Sequence, residues 1–169
     1  ILWAAAWLWD ARATRAGRVL FRATCLGTAL VALAFLAVYR GPHTAVAASE
    51  WVYRNVPEGS TLVTQHWDEG FPLPLPERDP GRYRVVEFPF YEPDGPEKQE
   101  DLAREVAGAD GVVLPTRRIL GAVTRVPERF PRTNAFYRLL LAGRLGFTLA
   151  HEQSARARLG PLEFPDELA

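Results

Sequence analysis

Methionine is absent from this chain, and cysteine and lysine occur once each. The single Cys25 excludes an intrachain disulfide and any metal site built on several thiolates. It lies inside an apolar run, so a thiol nucleophile is not expected. Twenty basic residues balance twenty acidic ones. No global field therefore draws the chain to nucleic acid or to an acidic surface. Familiar catalytic and cofactor signatures are missing too: there is no GxGxxG, no GxxxxGK[ST], no GxSxG and no HExxH. Position 1 is Ile. With no methionine, the chain is expected to be the C-terminal part of a longer protein. Of the twenty basic residues, nineteen are Arg, whose planar fork suits phosphate and carboxylate.

Long uncharged runs are present. ILWAAAWLW, residues 1–9, holds three tryptophans, and residues 23–39 form a second run of seventeen. Seventeen helical residues reach about 26 Å, just short of a hydrocarbon core. Adding residues 19–22, with Arg22 snorkelling to the headgroups, makes a full span. Between the runs Arg12, Arg15, Arg18 and Arg22 face one acid, Asp10. The positive-inside rule makes this loop cytoplasmic. Residues 1–40 are therefore expected to be membrane: the end of one helix, an Arg-rich cytoplasmic loop and a final transmembrane helix. Residues 41–169 are then extracytoplasmic. A cleaved signal peptide and a buried core helix are the competing readings.

After Gly41-Pro42 the pattern changes to alternating helices and strands. Helices are expected over residues 43–56, 97–107, 116–123 and 132–142, the last capped by Gly143. Strands are expected over residues 61–66, 84–90, 110–114 and 147–152. The fold class is α/β: a small, mostly parallel sheet of about four strands flanked by helices, with one clear βαβ unit over residues 84–114. The tail after Ser154 has no strong pattern.

Ligands of such sheets sit beyond the carboxyl ends of the strands. Three segments are expected to meet there: residues 66–69, residues 91–94 and residues 116–118. His66, Asp68 and Glu69 can serve acid–base work or a divalent cation, and Trp67 can stack on a sugar face. Against this, and more simply, the segment reads as a strand end running into a loop stiffened by Pro72, Pro74 and Pro76. Arg117 and Arg118 can grip a phosphate at a helix start, or simply be a solvated helix start. The candidate ligand-contact residues are His66, Trp67, Asp68, Glu69, Arg117 and Arg118. No catalytic residue and no metal ligand is assigned. Glu97, Glu100, Asp101 and Glu105 read as a solvated helix face, and His151 as a packed histidine.

Three stretches, WVYRNVPEGSTLVTQHWDEGFPL, DGVVLPTRR and RVPERFPRTNAFYRLLLAGRLGFTL, resemble the extracytoplasmic tail of bacterial polyprenyl-phosphate-sugar-dependent glycosyltransferases, the protein mannosyltransferase-like (family 39) group. The resemblance covers residues 51–152, and residues 127–147 are its most specific part. It implies a multi-spanning inner-membrane or plasma-membrane enzyme using a lipid-linked sugar donor and an unidentified acceptor. It also implies that the catalytic base is an acidic residue in a first outer loop outside this sequence. The partners implied are the bilayer, the upstream membrane helices of the same protein, the donor and the acceptor. A divalent cation in the parent enzyme is left open, and none is assigned to this part. The sequence ends sooner than the resemblance implies, so a sheet edge is expected to be exposed. The alternatives are a non-catalytic membrane-anchored binding or assembly module and a tethered hydrolase. The latter needs a nucleophile or metal cluster that the sequence does not offer.

Overall fold

A computed structural model describes residues 2–66 and 70–164. The chain divides into two compact units, one running to Pro42 and taking in the tail from Ala155, the other His43–Ser154.

The first unit opens with helix α1 (Leu2–Ala11), a short turn and helix α2 (Arg15–Leu36). Thr14 caps α2, its hydroxyl accepting from the Gly17 N–H at 3.0 Å. This satisfies one of the donors a helix start leaves unpaired. The 22 residues of α2 reach about 33 Å, enough to cross a hydrocarbon core. Among the described residues it is the one helix long and apolar enough for that. A 3-10 turn (Ala37–Arg40) follows. The patternless tail forms an antiparallel hairpin, β4 (Ala157–Leu159) with β5 (Leu162–Phe164). Its turn uses Gly160 at φ 58°. β4 lies against α2 and the 3-10 turn.

The α1–α2 turn is tight. A Cβ on Gly17 would stand 1.7 Å from the Ala11 carbonyl oxygen. Backbone cannot yield as a flexible side chain does. Gly17→Ala is expected to pry the two helices apart and to cost at least the ~1–3 kcal/mol typical of overpacking. A drop in thermal midpoint of the detergent-solubilised chain checks this; an unchanged midpoint would show that the turn is loose.

The second unit is a mixed α/β layer structure. Helix α3 (Thr44–Asn55) precedes strand β1 (Thr61–Gln65), and a long loop leads to β2 (Arg84–Phe88). Then come α4 (Pro96–Ala107), the two-residue strand β3 (Gly111–Val112), α5 (Arg118–Thr124) and α6 (Pro131–Leu141). The sheet is three-stranded and wholly parallel, in the order β2-β1-β3. The central strand β1 is buried on both faces. Leu62 joins Val52, Tyr53, Phe71 and Tyr83 on the α3 side. Val63 joins Phe88, Phe90, Leu102, Ile119, Val123 and Tyr137 on the other. The period of two along the strand accounts for this division.

The Pro-Leu loop is fastened to α3 at Leu73. Its N–H donates to the Ser49 hydroxyl and its carbonyl accepts from the Tyr53 hydroxyl, both at 2.9 Å. Burial of that phenol raises the Tyr53 pKa.

The expected fourth strand over residues 147–152 does not form. A strand needs a partner edge and a face to bury. β3, the edge on one side, is only two residues long. Leu149 is 81% exposed. The segment also follows two left-handed glycines, Gly143 (φ 68°) and Gly146 (φ 83°). It runs as irregular chain held by His151, whose ring stacks on Trp51 at 4.7 Å with planes 7° apart. The helix before it ends where the sequence predicts, with Gly143 in the left-handed cap.

Candidate functional site

The parallel register decides what gathers at the carboxyl end of the sheet. Thr64 pairs with Glu87 and Gln65 with Phe88, so Glu87 shares a strand face with Thr64. His66 follows immediately, and its N–H bonds the Phe88 carbonyl at 3.0 Å. Its Nδ1 lies 3.1 Å from Glu87 Oε2, and both side chains are about half exposed. The Tyr91 ring stacks 6.3 Å from the imidazole with planes 28° apart. An imidazole, a carboxylate and an aromatic face thus stand together where ligands of such sheets bind. Beneath them Thr64 carries a buried hydroxyl without a partner among the described residues. On the opposite strand face Gln65 donates to the Tyr137 hydroxyl at 2.8 Å, fully buried.

Of the sequence-predicted contact residues, His66 is therefore at the strand ends, with Glu87 and Tyr91 beside it. Trp67, Asp68 and Glu69 lie outside the described residues. Arg117 is exposed and turns to Glu152, Nη2 to Oε1 3.4 Å. Arg118 opens α5, its N–H donating to the Thr116 hydroxyl at 3.2 Å. That helix has seven residues, too short for a helix dipole to contribute strongly.

The segment after β2 contains a second charged cluster that sequence reasoning missed. Lys98, the only lysine, is buried in α4 and reaches four oxygens. They are the carbonyls of Phe90 (2.9 Å) and Glu92 (2.6 Å), Asp94 Oδ1 (3.1 Å) and Thr133 Oγ1 (2.8 Å). Asp94 Oδ2 in turn accepts from the backbone N–H groups of Arg132 (2.7 Å) and Thr133 (3.0 Å). A carboxylate from a distant loop thereby caps α6. Burial lowers the Lys98 pKa, and Asp94 offsets part of that. Burial alone would raise the Asp94 carboxyl, but hydrogen bonds from Thr133, Lys98 and Arg132 hold it below its ordinary value. The cluster is saturated with internal partners and acts as a clasp between the β2 exit loop, α4 and α6.

The residues 127–147 carry buried anchors. Thr133 belongs to the clasp. Asn134 Nδ2 donates to the carbonyls of Val123 (3.0 Å) and Phe130 (2.8 Å), joining the end of α5 to the start of α6. Phe136 and Tyr137 fill the core beside Phe90. These residues thus serve largely as packing. Two shallow depressions lie along α6, one lined by Pro127, Pro131, Asn134 and Arg138. No group of three or more His, Cys, Asp or Glu side chains gathers as a cation site among the described residues.

The signal for Glu87 was in the sequence, as the one acid inside the strand RVVEF, but its meeting with His66 required the parallel register. The signal for Lys98 was its singularity among nineteen arginines. Compared with known proteins, the chain matches no family model, no curated protein and no solved structure.

Proposed function

We propose that this chain is the C-terminal part of an integral-membrane glycosyltransferase that moves a sugar from a polyprenyl-phosphate donor to an extracytoplasmic acceptor. The observation that carries the membrane part is the surface of α2. Leu26, Leu33, Phe35 and Leu36 are each more than half exposed, on a helix apolar nearly all round. Water does not tolerate such a helix, and a bilayer does. The enzymatic part rests on the resemblance of residues 51–152 and on the polar group at the strand ends.

In the parent enzyme a carboxylate upstream takes the acceptor hydroxyl proton, and the freed oxygen attacks the anomeric carbon. Polyprenyl phosphate departs, its charge held by cationic side chains. The outer unit covers the membrane cavity on the extracytoplasmic side and helps orient the acceptor. The Glu87 carboxylate accepts a hydrogen bond from a hydroxyl, the His66 ring donates or accepts one, and Tyr91 offers a ring face. Trp67, Asp68 and Glu69 follow His66 directly in sequence, and Arg117 and Arg118 stand at the start of α5.

Transfer from a polyprenyl-phosphate sugar in membranes of the full-length enzyme tests this. Glu87→Ala and His66→Ala are expected to raise the acceptor KM about tenfold each, the worth of one good hydrogen bond. Unchanged acceptor KM and rate would remove the site from acceptor recognition. One observation favours the second reading, a non-catalytic binding or assembly module: the buried Lys98–Asp94 pair clasps loop and helices together and faces no ligand space. A parent protein that binds no lipid-linked sugar would decide for that reading.

A further inference from the structure

The α1–α2 turn concentrates positive charge with a single acid beside it in sequence. Asp10 is the only acid before Glu50, and four arginines lie between positions 12 and 22. Two of them close the turn. Arg12 donates from Nε to the Trp9 carbonyl at 2.9 Å, and its guanidinium carbon stands 3.0 Å above the Trp9 ring centre. Arg18 Nη1 reaches the carbonyls of Arg12 (3.2 Å) and Ala13 (3.4 Å). These contacts complement the negative end of α1. They fix the two guanidiniums without cancelling their charge. Arg15 and Arg22 are exposed. Among the described residues no hydrogen bond or ion pair holds either of them.

Positions 15, 18 and 22 follow the helical spacing i, i+3, i+7 and share one side of α2. They span about 10 Å of helix. Guanidinium forks at that spacing suit phosphodiester oxygens, which they bind in pairs. Both helices carry exposed apolar residues: Trp3, Trp7 and Trp9 on α1, and Val19, Leu20 and Leu26 on α2. A phosphate at this level is therefore at the surface of an apolar phase, where lipid headgroups lie and tryptophan rings prefer to sit.

We propose that Arg15, Arg18 and Arg22, steadied by the Arg12–Trp9 contact, bind the phosphate of anionic phospholipid headgroups and select such lipids around α2. The inference rests on the membrane reading of α2. It adds the lipid class and the residues that choose it. Basic residues next to a spanning helix each enrich anionic lipid about fivefold.

The test uses the full chain reconstituted in phosphatidylcholine vesicles with a minor share of phosphatidylglycerol. Flotation with the vesicles reports insertion. Lipid co-purifying in mild detergent reports preference. Wild type is expected to float and to retain phosphatidylglycerol well above its share. Arg15→Gln with Arg22→Gln, which touches no contact within the turn, should float equally and lose about twentyfold of the enrichment. Arg40→Gln, at the other end of the helix, should keep it. Flotation with equal retention of both lipids, or with retention indifferent to the double change, overturns the inference and leaves α2 in the membrane. Loss of retained lipid on adding millimolar inorganic phosphate would assign the stripe to the free ion instead. A chain that does not float overturns the membrane reading itself.

Discussion

Replacing Asp94 by alanine is expected to destabilise the α/β unit by about 3–5 kcal/mol, the range for breaking a buried ion pair from one side. The change strands the Lys98 ammonium in a site where both side chains of the pair are less than one-tenth exposed. It also removes the acceptor for the first N–H groups of α6. Lys98→Met should cost less: two carbonyls, the Thr133 hydroxyl and Asp94 Oδ1 lose a donor, but the carboxylate keeps its bonds from Arg132 and Thr133. The double change Asp94→Ala with Lys98→Met should be more stable than Asp94→Ala alone, since it removes the stranded charge. Urea unfolding of the detergent-solubilised chain, followed by near-UV circular dichroism, measures all three. A loss below about 1 kcal/mol for Asp94→Ala would mean that water reaches the lysine. A double variant as weak as the single one would place the loss in the α6 cap and not in the charge.

The same carboxylate sets an acid limit. Its folded pKa is depressed, so as pH falls the unfolded chain takes up the proton first. The contribution is complete above the unfolded value of about 3.9 and is lost as pH drops through the folded one. Lys98 works in the opposite sense to an exposed lysine. Its pKa is lowered by burial, so stability rises with pH between the folded value and the unfolded value of about 10.4. The pair therefore produces an acid loss and no alkaline one. A urea midpoint scanned across pH in wild type, and again in Asp94→Ala, should show the acid step only in the former.

Leu26→Arg is expected to reduce membrane insertion of α2 about a hundredfold. An arginine near the centre of a span costs about 2.5–3.5 kcal/mol on an insertion scale, and ten times fewer inserted chains correspond to each 1.4 kcal/mol. Leu26 is 61% exposed, and replacing an exposed leucine with arginine in water would cost next to nothing. The two environments therefore predict opposite outcomes for one substitution. The chain remaining in the membrane pellet after alkaline carbonate extraction reads the result. Full retention of Leu26→Arg would count against a spanning α2.

The elements were legible wherever their causes are local. Helix α4 begins at Pro96, one residue before its acidic first turn, because proline fixes the φ a helix start needs and gives up an N–H that has no partner there. β1 and β2 end one and two residues before their expected limits, and Pro89 accounts for the second. FTLAHE has the composition of a strand and does not become one, because composition cannot supply a free edge. Conversely, ARL and LEF lack a strand-like pattern and pair across Gly160, because each finds the other and α2 nearby.

The candidate site divides along the same line. His66 at the end of β1 follows from the strand and its turn. Glu87 and Tyr91 reach it only because β1 and β2 run parallel in one register, pairing residues more than twenty positions apart. Lys98 sits in a run of charged residues that reads as a solvated face. Its neighbours in space, Phe90, Glu92, Asp94 and Thr133, turn it inward.

By itself the sequence determined the apolar length of α2, the Arg-rich turn before it and the helix–strand alternation after it. Each of these is set by residues adjacent along the chain or one helical turn apart. The tertiary structure alone decided which strand lies in the middle and which carboxylate meets His66. It alone decided that the one lysine is buried. Those outcomes depend on register, free edges and the satisfaction of buried charge, quantities that exist only once distant segments have packed.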